Sequence, residues 1–152
     1  MKIAVGADHA GYELKEKIRQ RLAREGHEVH DKGTNSAESV DYPDFARLVG
    51  EEVARQEADF GVLVCGSGIG MSIAANKVPG VRAAHVTNMY EAQMAREHNN
   101  ANVVTVGSRV LDEWAAMQAV ETFLKTKFAG GRHERRVQKI MAIEQQEQAH
   151  HA

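Results

Sequence analysis

"FGVLVCGSGIGMSIAANK", residues 60–77, opens with six uncharged residues and then turns abruptly rich in glycine. Phe60 to Cys65 reads as a strand buried on both faces, because apolar side chains follow one another without alternation. Gly66, Gly68 and Gly70 come next, and Ser67 to Lys77 reads as a helix or a loop running into one. Strand, glycine turn and helix in succession form the repeating unit of a parallel sheet. The unit puts the only cysteine, Cys65, at the carboxyl end of a strand. Ligands of such sheets bind outside those ends.

The same rhythm continues in both directions. Ile3–Val5 is a short apolar run, followed from Tyr12 to Arg24 by Leu14, Ile18 and Leu22 at a spacing of four, one stripe of a helix. Gly26 stops that helix. Residues 28–30 form a weak strand, and Pro43 stands near the start of a helix that includes Phe45, Leu48, Val49 and Val53. Beyond the central unit, residues 81–86 and 102–106 read as strands and residues 90–97 and 110–128 as helices. Gly130 and Gly131 precede a last polar helix from about Arg132 to Gln148. Five strands alternating with helices predict an α/β fold, a mainly parallel five-stranded sheet between two helical layers with an extended C-terminal helix. One domain over residues 1–149 is expected, with residues 150–152 as a frayed end. The strand ends collect Asp8 and His9, residues 65–70, Thr87 and Asn88, and residues 107–109.

The glycine loop is not a dinucleotide fingerprint. G-x-G-x-x-G would need glycine at Met71, and the loop follows the third strand rather than the first. Glycines here free backbone N–H groups to point inward, and such a nest stabilises an anion, including one formed during a reaction. A cysteine closing a strand is ordinarily small apolar packing. Beside a helix N-terminus it is also a place where a thiolate is favoured.

Two further features carry polar chemistry. His9, His98 and His133 each fall at a predicted strand end or helix boundary. In "GGRHERRV", residues 130–137, Arg132 and Arg136 are four apart on one helix face with His133 beside them. A solvated basic face is the plain reading of that segment; a phosphate clamp, joined by Arg109, is the functional one. No C-x-x-C or H-x-x-x-H spacing supports a metal, so none is expected, and no cofactor motif is present. The 152 residues carry a net charge of −2 with histidines neutral, which offers no basic excess for nucleic acid. A lone cysteine and an N-terminal apolar run interrupted by Asp8 make a cytoplasmic protein without membrane contact the expectation.

Taken together, "IAVGADHAGYELK", "DKGTNSAESVDYPDFA", "LVCGSGIGMSIAANK", "REHNNANVVTVGSRV" and "GGRHERRV" resemble, in the same order, the type B ribose-5-phosphate isomerases, of the sugar-phosphate isomerase family that includes galactose-6-phosphate isomerases. The resemblance covers all but the last few residues. It implies a Rossmann-like sandwich and a homodimer or homotetramer with active sites at the dimer interface. It implies interconversion of ribose 5-phosphate and ribulose 5-phosphate without metal, in the pentose phosphate pathway. By the resemblance, Cys65 is the base acting between C1 and C2. Ser67 with the amides of Gly66 to Gly70, those of Gly66, Gly68 and Gly70 among them, holds the enediolate. Asp8, Tyr42 and Asn99 contact sugar hydroxyls, and His98 helps open the ring. His9, Arg109, Arg132, His133 and Arg136 bind phosphate. One branch of the family has glycine in place of the cysteine and a glutamate six residues later; Met71 occupies that later position, which puts this sequence in the cysteine branch. Alternatives are another sugar phosphate such as allose 6-phosphate, a cysteine hydrolase built on Cys65, His98 and Asn99, and a sugar-phosphate-binding module without catalysis.

Overall fold

A computed structural model describes residues 1–151, with side chains to His150. In chain order the elements are β1 (Lys2–Ala7), α1 (Tyr12–Arg24), β2 (Glu28–Asp31), α2 (Tyr42–Ala54), β3 (Phe60–Cys65) and α3 (Ile69–Ala75). These are followed by β4 (Ala83–His85), α4 (Met89–Glu97), β5 (Val103–Gly107), α5 (Glu113–Lys125) and α6 (Arg132–His151). The five strands form one sheet in the order β2-β1-β3-β5-β4, and every pair is parallel.

Crossover handedness assigns the helices to layers. The chain steps one way across the sheet from β1 to β2 and from β4 to β5, and the other way from β2 to β3 and from β3 to β4. With a single hand of crossover, α1 and α4 must cover one face and α2 and α3 the other. The core divides accordingly. Leu14, Ile18 and Leu22 of α1, Ala92 and Ala95 of α4, and Phe123 of α5 pack with Ile3, Val5, Val62 and Val104. Ala46, Val49 and Val53 of α2 and Met71 and Ala75 of α3 pack with Ala4, Leu63, Val103 and Cys65. Neighbours on β1 and β3 alternate between the two clusters, as the period of two requires.

Several boundaries differ from the sequence reading. The helix expected from Val110 begins at Glu113. Val110 and Leu111 instead close a turn by donating their N–H groups to Gly107 O (3.1 and 3.0 Å), and the Asp112 carboxylate caps α5 by accepting from Ala115 N at 2.8 Å. Strand β4 keeps only three of the residues expected. At the C-terminus α6 runs to His151, and Ala152, the last residue of the expected frayed end, lies outside the described residues. The α6 helix docks back on the body: Glu144 accepts from Gly80 N (3.0 Å) and Met141 Sδ from Arg82 Nη1 (3.3 Å). Among the described residues no helix is long and apolar enough to cross a membrane.

Candidate active site

The carboxyl ends of β1 and β3 and the loop after β5 converge on a cavity of about 690 Å³. Asp8, His9, Tyr42 and Arg109 line it together with Cys65, Gly66, Ser67 and Gly70. Eight sequence-derived candidates therefore meet in one place. The three ends are stitched together by main-chain bonds: Asp8 N donates to Val64 O (3.3 Å), Ser108 N to Cys65 O (2.9 Å) and Arg109 N to Gly66 O (3.0 Å). The Ser108 hydroxyl adds a bond to Ala10 O at 2.8 Å.

Cys65 is the last residue of β3 and is buried, with its side chain on the α2–α3 face. The N–H of Gly68 donates to its Sγ at 3.2 Å. Gly68 reaches this position only because it turns left-handed, at φ +83°, and a Cβ there would stand 2.7 Å from the His85 ring. Its carbonyl is pinned from β5, where the buried Thr105 hydroxyl donates to it at 2.8 Å. The glycine loop thus holds the sulfur. The next amide of the loop, Ile69 N, donates to the Ser67 hydroxyl oxygen at 3.2 Å. Gly70 is the close approach on the other side: a Cβ would lie 2.6 Å from Cζ of Tyr42, the first residue of α2.

His9 and Asp8 are oriented by the backbone. Val40 N–H donates to His9 Nδ1 (3.2 Å), so in the neutral ring the hydrogen sits on Nε2, a donor. Asp8 Oδ1 accepts from Gly11 N at 3.0 Å. The guanidinium of Arg109 lies against Gly66, its Nη1 3.1 Å from where a Cβ would be. Met71, in the position that bears a glutamate in the other branch, is fully buried in the core.

The remaining candidates lie elsewhere. His98 caps the C-terminal end of α4 and His133 sits in the first turn of α6; their rings stack at 4.2 Å between centroids and 13° between planes. Arg132 and Arg136 are exposed on the same first turns of α6. Desolvation, together with electrostatic interaction with His98, Arg132 and Arg136, holds His133 below the usual imidazole range, while Glu97 opposes this. Asn99 is exposed and lines a separate cavity of about 630 Å³ beneath α6, with Arg82, Ile140 and Glu144. α4 runs back from the carboxyl end of β4, so His98 emerges at the opposite edge of the sheet, where β5 begins. A strand of five or six residues separates the two edges, roughly 15 Å. One chain therefore does not bring Cys65 and His98 together, so the Cys65–His98 pair of the hydrolase alternative does not form within it. Thr87 and Asn88, also at a strand end, serve the helix: Asn88 caps α4 by accepting from Glu91 N (2.8 Å) and the Thr87 hydroxyl donates to Glu91 (2.7 Å). Among the described residues no group of three or more His, Cys, Asp or Glu is placed to hold a metal ion.

Sequence reading missed three apolar residues at the cavity, Ile69, Ile73 and Val110, each more than half exposed. Ile73 carried one available signal, a large apolar residue on the outer side of a helix whose inner side is Met71 and Ala75.

The sequence and the fold are both shared with known proteins. The Ribose/Galactose Isomerase family matches residues 3–140. The chain is 49% identical over 144 residues to ribose-5-phosphate isomerase B of Escherichia coli (strain K12), covering 95% of this chain and 97% of that protein. It superposes on ribose-5-phosphate isomerase B of Clostridium thermocellum with a TM-score of 0.95 at 53% identity, over 96% of this chain and 99% of that one. A structure of the Mycoplasma genitalium ribose-5-phosphate isomerase B with bound ribulose-5-phosphate matches with a TM-score of 0.92 at 42% identity, over 95% and 96% of the two chains.

Proposed function

The chain belongs to the Ribose/Galactose Isomerase family, and from that membership and the cavity we infer that it interconverts D-ribose 5-phosphate and D-ribulose 5-phosphate, as a step of pentose phosphate metabolism in the cytoplasm. The observation that carries the reading is the Gly68 N–H donating to Cys65 Sγ at the floor of a cavity lined by Asp8, His9, Tyr42, Ser67 and Arg109. An aldose–ketose exchange needs one base within reach of two adjacent carbons and a polar setting for the enediolate between them.

In this scheme the Cys65 thiolate removes the C2 proton of the open-chain aldose. The electron pair of that bond becomes the C1–C2 double bond and O1 takes the negative charge. The O2 proton passes to O1, the Ser67 hydroxyl standing beside them. As the C2 carbonyl forms, C1 recovers the proton from the Cys65 thiol, so nothing is consumed. Asp8 and Tyr42 hold sugar hydroxyls. His9, with its Nε2–H donor, and Arg109 bind phosphate at the near end.

His98, Asn99, Arg132, His133 and Arg136 enter this scheme from a second copy. They lie a sheet's height away from the Cys65 of their own chain, too far for one pentose phosphate to span. The cavity mouth is rimmed by exposed Ile69, Ile73 and Val110, which a partner would cover. A two-fold dimer would seat each patch over the partner's cavity, where His98 assists ring opening and the arginines complete the phosphate site.

Purified protein with a panel of pentose and hexose phosphates tests the reading. Ketose should appear fastest from ribose 5-phosphate, deuterium from heavy water should enter C2 of the aldose, and exhaustive chelation should leave the rate intact. Faster turnover of allose 6-phosphate would reassign the sugar, and acyl transfer to Cys65 without isomerisation would reassign the chemistry. Cys65→Ala and His98→Ala chains should regain activity when refolded together, since a mixed dimer holds one intact site. No recovery would place both residues in the same subunit's site.

A further inference from the structure

Arg96, in the last turn of α4, is 7% exposed. Its guanidinium lies 4.7 Å from the ring centre of Phe60 and 5.7 Å from that of Phe123. Nε donates to Thr126 O (3.2 Å), and Nη1 donates to Asn100 Oδ1 (2.9 Å) and Ala101 O (2.5 Å). Among the described residues no carboxylate pairs with it. Burial, and then the charge of Arg82, lower its pKa. A buried cation without a counter-ion is a costly way to fill a core, and an apolar side chain would fill the same space between two phenylalanines at less expense.

Its partners explain the expense. Asn100 and Ala101 belong to the tight turn after α4, in which Asn100 holds φ +46°. His98 and Asn99 stand on that turn. Thr126 ends α5 and leads to the connection whose Ala129 N donates to Glu97 O (3.1 Å), and which delivers His133 to its stack on His98. One planar fork therefore ties together the two segments whose side chains make up the patch. A lysine offers the charge without the fork.

We propose that Arg96 is a positioning residue for the reaction: it sets the turn carrying His98 and the α5–α6 connection carrying His133 and the arginines in register, so that the patch meets the phosphate end of a substrate bound in the partner's cavity. The proposal rests on the two-chain site described above. Arg96 itself touches no substrate.

The test is Arg96→Lys, with Asn100→Gly as the milder second variant; glycine accepts the φ of position 100 and removes only the side-chain acceptor. In Arg96→Lys, KM for ribose 5-phosphate and the inhibition constant for sulfate should rise together by about ten- to hundredfold, and kcat should fall by a smaller factor, because His98 on the same turn assists ring opening. Asn100→Gly should move both in the same direction by a smaller factor. Refolding Arg96→Lys with Cys65→Ser should restore the parent KM. The one intact Cys65 of that mixed dimer belongs to the Arg96→Lys chain, and the patch over it comes from the Cys65→Ser chain. Unchanged KM and sulfate inhibition in both variants would overturn the proposal, as would a mixed dimer that keeps the raised KM. If Cys65→Ser and His98→Ala recover activity together while the Arg96→Lys mixture keeps the raised KM, Arg96 alone is misassigned. If neither pair recovers, the two-chain site falls and the role of Arg96 with it. Should Arg96→Lys not fold, Asn100→Gly decides by the same two constants.

Discussion

The Cys65 cavity and the His98–His133 patch are built in opposite ways. The cavity is floored by a buried sulfur, and its walls are strand ends bonded to one another through main-chain groups. Moving Cys65 means breaking the sheet or the loop that Thr105 pins. The patch lies on helix ends at the other edge, with Arg132 and Arg136 exposed and two rings held against each other. Proton transfer requires one atom held to a fraction of an ångström, which a sheet supplies. Anion recognition tolerates long flexible cations, and those can come from another surface. In the proposed scheme the difference separates chemistry from binding, and substitutions on the two sides should separate in the same way.

The largest effect is expected at the sulfur. Cys65→Ser retains the shape but raises the group's proton affinity far above that of a thiol. Positioned bases contribute about 10²–10⁴ in rate, so kcat should fall by that order while sulfate inhibition stays at the parent value. Near-parent turnover in a stopped assay would reduce Cys65 to packing and erase the contrast. On the patch side Arg136→Ala should do the reverse. Hydrogen bonds to charged groups contribute about 1.5–3 kcal/mol, so KM and sulfate inhibition should weaken by about ten- to hundredfold with kcat largely kept. Titration showing parent affinity would return the arginines to a solvated face.

Thr105→Val probes whether the rigidity of the cavity matters to the chemistry. It removes the hydroxyl bond to Gly68 O at nearly constant volume, which should cost about 1 kcal/mol in urea unfolding. It should lower kcat without changing KM; a change in KM alone would mean the loop holds substrate rather than sulfur.

The smallest effect is a pH dependence of the patch. His133 is held below its usual range by desolvation and by neighbouring positive charge, so it meets a ligand at neutral pH uncharged. A bound anion favours the imidazolium and raises that pKa, so binding takes up a proton and affinity rises as pH falls. Sulfate, which does not titrate in this range, should inhibit about three- to tenfold more strongly at pH 6 than at pH 8. The dependence should shrink in His133→Gln. An equal dependence in that variant would assign it to another group.

The positions of strands and helices, the strand ends and the place of Cys65 were legible in the sequence, because hydrophobic periodicity and glycine turns are properties of neighbouring residues. So were eight residues that line the cavity, through motifs quoted for the family resemblance. Helix ends were legible only approximately: Val110 and Leu111 are apolar enough to extend α5, and it is the Asp112 cap and the bonds to Gly107 O that exclude them. Which of the site residues meet was decided by the fold. Strand order and the return of α4 carry His98 to the edge opposite Cys65, and nothing in either local segment encodes that separation. The same holds for buried charge. Lys15 carries its charge beside the apolar stripe of α1. It is nevertheless 1% exposed, because Asp31 and Thr34 O, 16 and 19 residues away, supply its partners. Arg96 is buried for a like reason, by Phe60, Phe123 and carbonyls that only the folded chain assembles. Periodicity reports the face on which a residue sits; whether a charged group on that face is solvated or enclosed depends on partners distant in sequence, and only tertiary packing brings them there.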